Sequence, residues 1–187
     1  MKHLIAGLIG GADYAWGRGS GRFPGLKQYG EFRRALAARA SEIAKFDKHL
    51  LDDPALDVRE VAVELWSLIE RLDIVINDSK IVSGSKALHH LLPELVVPMD
   101  HKYTQRFFEK HNPEFQYQGK PVFCEILAHC AEIAREATAK SYIDLDDRDK
   151  TWRTSQTKVI DNAIVGYCIS QQISELPESR CLWEEAR

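Results

Sequence analysis

The chain has 187 residues, 44% of them apolar, enough to bury a sizeable core in one helical domain spanning 1–187. Its 25 Lys+Arg against 28 Asp+Glu leave a net charge of -3, which excludes a global basic field for nucleic acid or an anionic membrane; any such binding must use a local patch. No segment reaches the ~20 apolar residues of a membrane span, and four cysteines separated by 5, 37 and 12 residues (Cys124, Cys130, Cys168, Cys181) fit neither a CxxC zinc pair nor a compact disulfide framework.

From the N-terminus, the apolar run Leu4 to Ile9 is shorter than a secretory h-region and lacks a small-x-small cleavage site, so a cytoplasmic location is expected. Residues 10–30, GGADYAWGRGSGRFPGLKQYG, hold seven of the 11 glycines and predict a loop. Its Arg18, Arg22 and Lys27 form a local positive patch, either a phosphate contact or a solvated connection, and it lacks the GK[ST] ending of a P-loop. From Glu31 to Leu51, Phe32, Leu36, Ala40, Ile43 and Phe46 recur at helical spacing, and LDDPALD ends the run.

Asp57 is placed to cap VREVAVELWSLIERL, with Glu60 completing a capping-box-like pattern. Val61, Leu65, Leu68, Ile69 and Leu72 share one face, so this helix is expected to pack centrally. The stretch IVINDSKIVSG, residues 74–84, predicts an irregular connection because Asn-Asp and Ser-Gly favour turns. The segment KALHHLL then makes a short helix before Pro93, and Asp100 opens the next, HKYTQRFFEK. Pro121 suits the first turn of PVFCEILAHCAEIAREATA, whose Phe123, Ile126, Leu127, Cys130 and Ile133 form a stripe. DLDDRDK, at 144–150, is a solvated turn. TKVIDNAIVGYCISQQI is a last helix with Val159, Ala163, Ile164, Tyr167 and Cys168 as its core face. The fold class is therefore all-α, a compact multi-helix domain.

The central segment SGSKALHHLLPELVVPMDHKYT carries the chemistry. If Ser83, Gly84 and Ser85 form a turn, they supply hydroxyl caps and free backbone N–H groups suited to a phosphate oxygen. Lys86 would then lie in a first helical turn, where the helix dipole disfavours its ammonium form. Two turns of helix to Leu92 span about 10 Å, and the seven residues 93–99 reach up to ~23 Å, so Asp100 can return to the neighbourhood of Lys86.

This pattern, a glycine turn, a lysine entering a helix and a proline-containing return to an aspartate at the next helix start, resembles the helix-hairpin-helix DNA glycosylase superfamily over roughly residues 57–110. There the hairpin reads approximately Leu-Pro-Gly-Val-Gly-x-Lys, its amides hold a DNA phosphate, the lysine attacks the sugar C1′ and the aspartate assists. By position, the resemblance makes Gly84 the second hairpin glycine, Lys86 the nucleophile and Asp100 the carboxylate. Ser83, Gly84, Ser85 and Tyr103 become nucleic-acid contacts. Val82 and Ile81 replace the first hairpin glycine and the proline, and Lys86 and Asp100 are closer than is typical by about one helical turn of 3.6 residues. The iron-sulfur cysteine cluster of some members is absent, and no cofactor is implied.

Read without the resemblance, Lys86 is either a solvated lysine on a helix flank or a catalytic amine, and Asp100 is a helix cap with or without a second role. An ordinary lysine near pKa 10.4 is about one part in a thousand neutral near pH 7.4, so catalysis would need about 4 kcal/mol of environmental bias. His89 and His90 are about 100° apart on a helix and do not bind one metal together; no metal site is expected. Phe107 and Phe108 fit core packing better than base stacking, with Tyr103 the exception. The two functions open are a DNA-binding glycosylase or abasic-site lyase, and a non-catalytic helical module that binds nucleic acid or protein.

Overall fold

The computed structural model describes residues 29–74, 80–137 and 155–171. Within them lie eight helices and no strand: α1 (Tyr29–Ala38), α2 (Ala40–Ala44), α3 (Val58–Leu72), α4 (Lys80–Leu91), α5 (Thr104–Phe107), α6 (Asn112–Tyr117), α7 (Gly119–Glu136) and α8 (Gln156–Ser170). The all-α expectation holds. Most of the glycine-rich stretch, the apolar run at 4–9, the acidic turn at 144–150 and Cys181 lie outside the described residues.

The core is built on α3 and α7. Asp57 caps α3 by accepting from the amides of Arg59 and Glu60, both at 3.1 Å, and Asp73 ends the helix in the left-handed region at φ 48°. Between these caps Val58, Ala62, Leu65, Trp66, Leu68, Ile69 and Leu72 are buried. They meet Val122, Phe123, Ile126, Leu127, Cys130, Ala131 and Ala134 of α7, with the rings of Trp66 and Phe123 5.7 Å apart. Burying such side chains contributes roughly 1.5–3 kcal/mol each before chain entropy is counted. The start of α7 fits beneath Trp66 only because residue 119 is glycine: a Cβ there would collide with the indole.

Four segments depart from their sequence signals, the first being the helix expected directly after Asp100, which is confined to Thr104–Phe107. The amphipathic run at 31–51 is two helices, α1 and α2, with Arg39 between them at ψ 6° and Glu42 tied to Arg71 of α3 at 2.8 Å. The expected connection at 74–84 is helical from Lys80 onward, because Ile81, Gly84 and Ser85 are all buried; residues 75–79 are outside the described set. The core face of α8 is Gln156, Thr157, Ile160, Asp161, Ile164 and Cys168, whereas Ala163 and Tyr167 are exposed. Two polar residues of this face, Gln156 and Thr157, are fully buried because they bind backbone carbonyls of the loop at 93–94.

Candidate functional site

The local geometry of the central segment differs from a hairpin. Lys86 is the seventh residue of α4, not part of its first turn, and lies beyond the end of the helix where the dipole acts. Gly84 and Ser85 lie inside the helix, so their amides belong to its hydrogen-bond ladder and are not free for a phosphate. Gly84 serves packing instead: a Cβ there would come within 2.5 Å of Ile69 Cγ2. The crevice lined by Ile69, Asp73, Ile74, Lys80, Ser83 and Gly84 has a free volume of about 0 Å³. Of the expected turn-amide contacts, Gly84 and Ser85 are buried inside the helix and Ser83 is half-buried in its first turn.

The return toward Asp100 does occur, and a buried serine fastens it. Ser85 Oγ donates to the Val82 carbonyl at 3.2 Å and accepts from the Met99 amide at 3.0 Å. Ser85 and Met99 are fully buried. The chain neighbours of this bonded pair are Lys86 and Asp100, the first exposed and the second half-buried. Among the described residues no salt bridge joins the two. Asp100 closes the turn that leads into α5 and is not its N-cap: its Oδ1 accepts from the Tyr103 amide at 2.7 Å, and its own amide donates to Thr104 Oγ1 at 3.1 Å. Its other carboxylate oxygen is not part of this pair.

The loop between α4 and α5 is held along its length. Thr157 Oγ1 donates to Pro93 O at 2.5 Å, and Glu94 O accepts from Leu51 N at 3.0 Å and Gln156 Nε2 at 2.9 Å. His89 Nδ1 lies 2.8 Å from Val96 O and 3.2 Å from Thr157 Oγ1. That arrangement assigns the ring proton to Nδ1, because a carbonyl only accepts. Burial holds the His89 imidazole below its ordinary value, with the Val96 carbonyl opposing and the charges of His90 and Lys158 assisting. His89 is therefore a structural residue and His90 an exposed one.

Tyr103, half-buried, stands next to this loop with Lys102 Nζ 5.1 Å from its ring centroid. Beyond it in the chain lie ring contacts that sequence reasoning missed. Phe107 meets Tyr167 of α8 edge-on at 5.3 Å and Phe108 at 4.9 Å, and Phe108 stacks on His129 of α7 at 5.9 Å. Spacing carried part of this signal, since Lys102 and Arg106, like Tyr103 and Phe107, are four residues apart. Tyr167 and His129 come from remote helices and gave none.

Elsewhere, a cavity of about 320 Å³ lies between α2, the turn after it and the loop at 91–95, floored by Leu36, Ile43, Phe46 and Leu92 with Asp47, His49 and Glu94 also lining it. None of the sequence-predicted site residues lines it. Among the described residues no group of His, Cys, Asp and Glu is placed to hold a metal ion, and no helix is long and apolar enough to cross a membrane. Cys124, Cys130 and Cys168 are free thiols. Comparison with protein-family models, with curated proteins and with solved structures finds no match to this chain.

Proposed function

We propose that this protein binds DNA through the face where α4 meets the Asp100 to Tyr103 turn, and acts there as a base-excision glycosylase with abasic-site lyase chemistry. Lys86 is the nucleophile: its neutral amine adds to C1′ of the ring-opened abasic sugar, and loss of water gives an imine. Asp100 is the supporting carboxylate. The observation that supports the reading is the buried Ser85 to Met99 hydrogen bond, which draws the chain just before Asp100 back to the helix that carries Lys86 across 14 positions of sequence. Lys86 is exposed, as an amine that must reach a sugar needs to be. A target base would be flipped from the stack before attack.

A second reading, a non-catalytic nucleic-acid- or protein-binding module, is favoured by Gly84, which is packed into Ile69 and offers no loop amides to a phosphate. Borohydride trapping on duplex DNA with one abasic site, run beside an assay of base release, separates the two. The lyase reading expects a covalent adduct that Lys86→Ala abolishes. An adduct that persists in Lys86→Ala removes Lys86 as nucleophile, and neither adduct nor base release leaves the binding module.

A further inference from the structure

Phe107 and Tyr167, which meet edge-on at 5.3 Å beside the turn that carries Tyr103, have features of a surface for flat, anionic ligands. Cys168 Sγ lies 3.8 Å from the Tyr103 carbonyl, which ties α8 to the turn before α5 and puts Tyr167 beside Phe107. Tyr167 is 51% exposed although it is a large aromatic residue. Its helical neighbours on that face are Ala163, Gly166 and Ser170, all exposed, small and uncharged. A Cβ added at Gly166 would meet nothing within 4 Å, so the helix surface beside Tyr167 is open at that position among the described residues.

Charge decides which occupant fits. Lys102 is exposed, Arg106 half-buried, and among the described residues neither enters a salt bridge. Lys102 lies in the turn before α5 and Arg106 within α5, on the stretch of chain that carries Tyr103 and Phe107. At the far end of the aromatic series the charges are paired: His129 sits 3.1 Å from Glu132, and Glu125 pairs with Lys110 at 2.6 Å. Asp100 and Glu109 bracket the segment in sequence, with Asp100 Oδ1 engaged by the Tyr103 amide. Lys102 and Arg106 therefore offer cations to a phosphate chain, whereas Glu125 and Glu132 already have partners in Lys110 and His129. A purely apolar protein partner would leave the two cations facing it without counterions.

We propose that Tyr103, Phe107 and Tyr167, with Lys102 and Arg106, form a stacking platform for unpaired bases of single-stranded DNA. The proposal rests on the DNA-binding reading and adds to it the strand state of the ligand. Aromatic rings stack on any base, so the platform favours unpaired strands without a sequence preference. In a protein that extrudes a base from a duplex, such a platform takes up nucleotides from the opened strand.

The test is fluorescence anisotropy of a labelled oligothymidylate and of a labelled duplex hairpin, each titrated with the full chain. Tyr167→Ala is expected to weaken oligothymidylate binding about 5- to 150-fold, the loss of one base stack, while duplex binding changes by less than about twofold. Tyr167→Phe, which keeps the ring, is expected to bind as the wild type does. Arg106→Gln is expected to flatten the salt dependence on the single strand by about one phosphate contact. Tyr167 is exposed, so these variants should retain the wild-type urea midpoint. Equal binding by Tyr167→Ala and the wild type overturns the platform while leaving DNA binding in place. Binding of neither DNA overturns both. Lys86→Ala distinguishes the two proposals, because it should lose the borohydride adduct and keep its affinity for oligothymidylate.

Discussion

Replacing Gly84 by alanine tests whether this glycine serves the contact between α4 and α3. In a helix interior glycine is less favourable than alanine by roughly 1 kcal/mol, so at an unhindered position the substitution stabilises. At Gly84 the new Cβ would lie 2.5 Å from Ile69 Cγ2 and 2.9 Å from both Cγ1 and Cδ1. Carbon atoms settle about 3.5–4.0 Å apart, so each of the three must withdraw by roughly 1 Å. Ile69 is only 3% exposed and has no solvent side to turn toward. Overpacking of this kind costs about 1–3 kcal/mol, which leaves Gly84→Ala between neutral and about 2 kcal/mol less stable. Gly166, also inside a helix but with nothing within 4 Å of a built Cβ, is the internal control. The helix-propensity gain is common to both, so their difference reads the steric cost alone, about 1–3 kcal/mol. Urea unfolding followed by far-UV circular dichroism measures it, and each 1 kcal/mol corresponds to about 2–4 °C in melting temperature for a chain of this size. In an Ile69→Ala background the sign should invert, because the new methyl enters vacated space. Equal stabilisation by Gly84→Ala and Gly166→Ala would refute the close contact with α3.

Three further outcomes are expected. Ser85→Ala leaves the buried Met99 amide without its acceptor, so stability should fall by about 1–3 kcal/mol; an unchanged urea midpoint would show that the fastening bond is absent. Because burial lowers the His89 pKa below 6.5, the unfolded chain binds more protons there than the folded one. Stability should therefore be full above about pH 6.5 and decline as pH falls below it toward the folded value, and His89→Gln should reduce that slope; an identical pH profile in the variant would contradict the assignment. Burial, with a smaller contribution from Asp161, pushes the Cys130 thiol up to about 12. Peptide mapping after iodoacetamide treatment near pH 8 should find Cys130 unmodified in the folded protein and modified in urea, and rapid native labelling would contradict its burial.

The parts of the fold legible in the sequence are those governed by local chemistry. Asp57 could be read as a cap because its side chain satisfies amides only two and three residues away. The stripe of α7 could be read because Phe123, Ile126, Leu127 and Cys130 recur at helical spacing and are all buried. Ser83-Gly84-Ser85 was misread because its local preference for a turn is overridden by the burial of Ile81, Gly84 and Ser85 against the core. The outward face of α8 was misread for a similar reason: Gln156, Thr157 and Asp161 are polar yet buried, and Tyr167 is aromatic yet exposed. At the candidate site, the return of the chain before Asp100 to the helix that carries Lys86 was within the reach read from the sequence. The serine that fixes it, and the rings contributed by α7 and α8, depend on contacts that no window of sequence contains.

The fastening of the α4 to α5 loop also gives the site a place in the order of synthesis. The carbonyls of Pro93 and Glu94 leave the ribosome 64 and 62 residues before Thr157 and Gln156, whose side chains bind them. Until α8 has emerged, the Pro93 carbonyl lacks its Thr157 donor and the Glu94 carbonyl has only the Leu51 amide, so the stretch leading to Asp100 lacks two of its attachments. Lys86 and Asp100 are thus translated early, and the frame around them is completed late. A nascent chain carries both residues well before it holds them as the finished protein does.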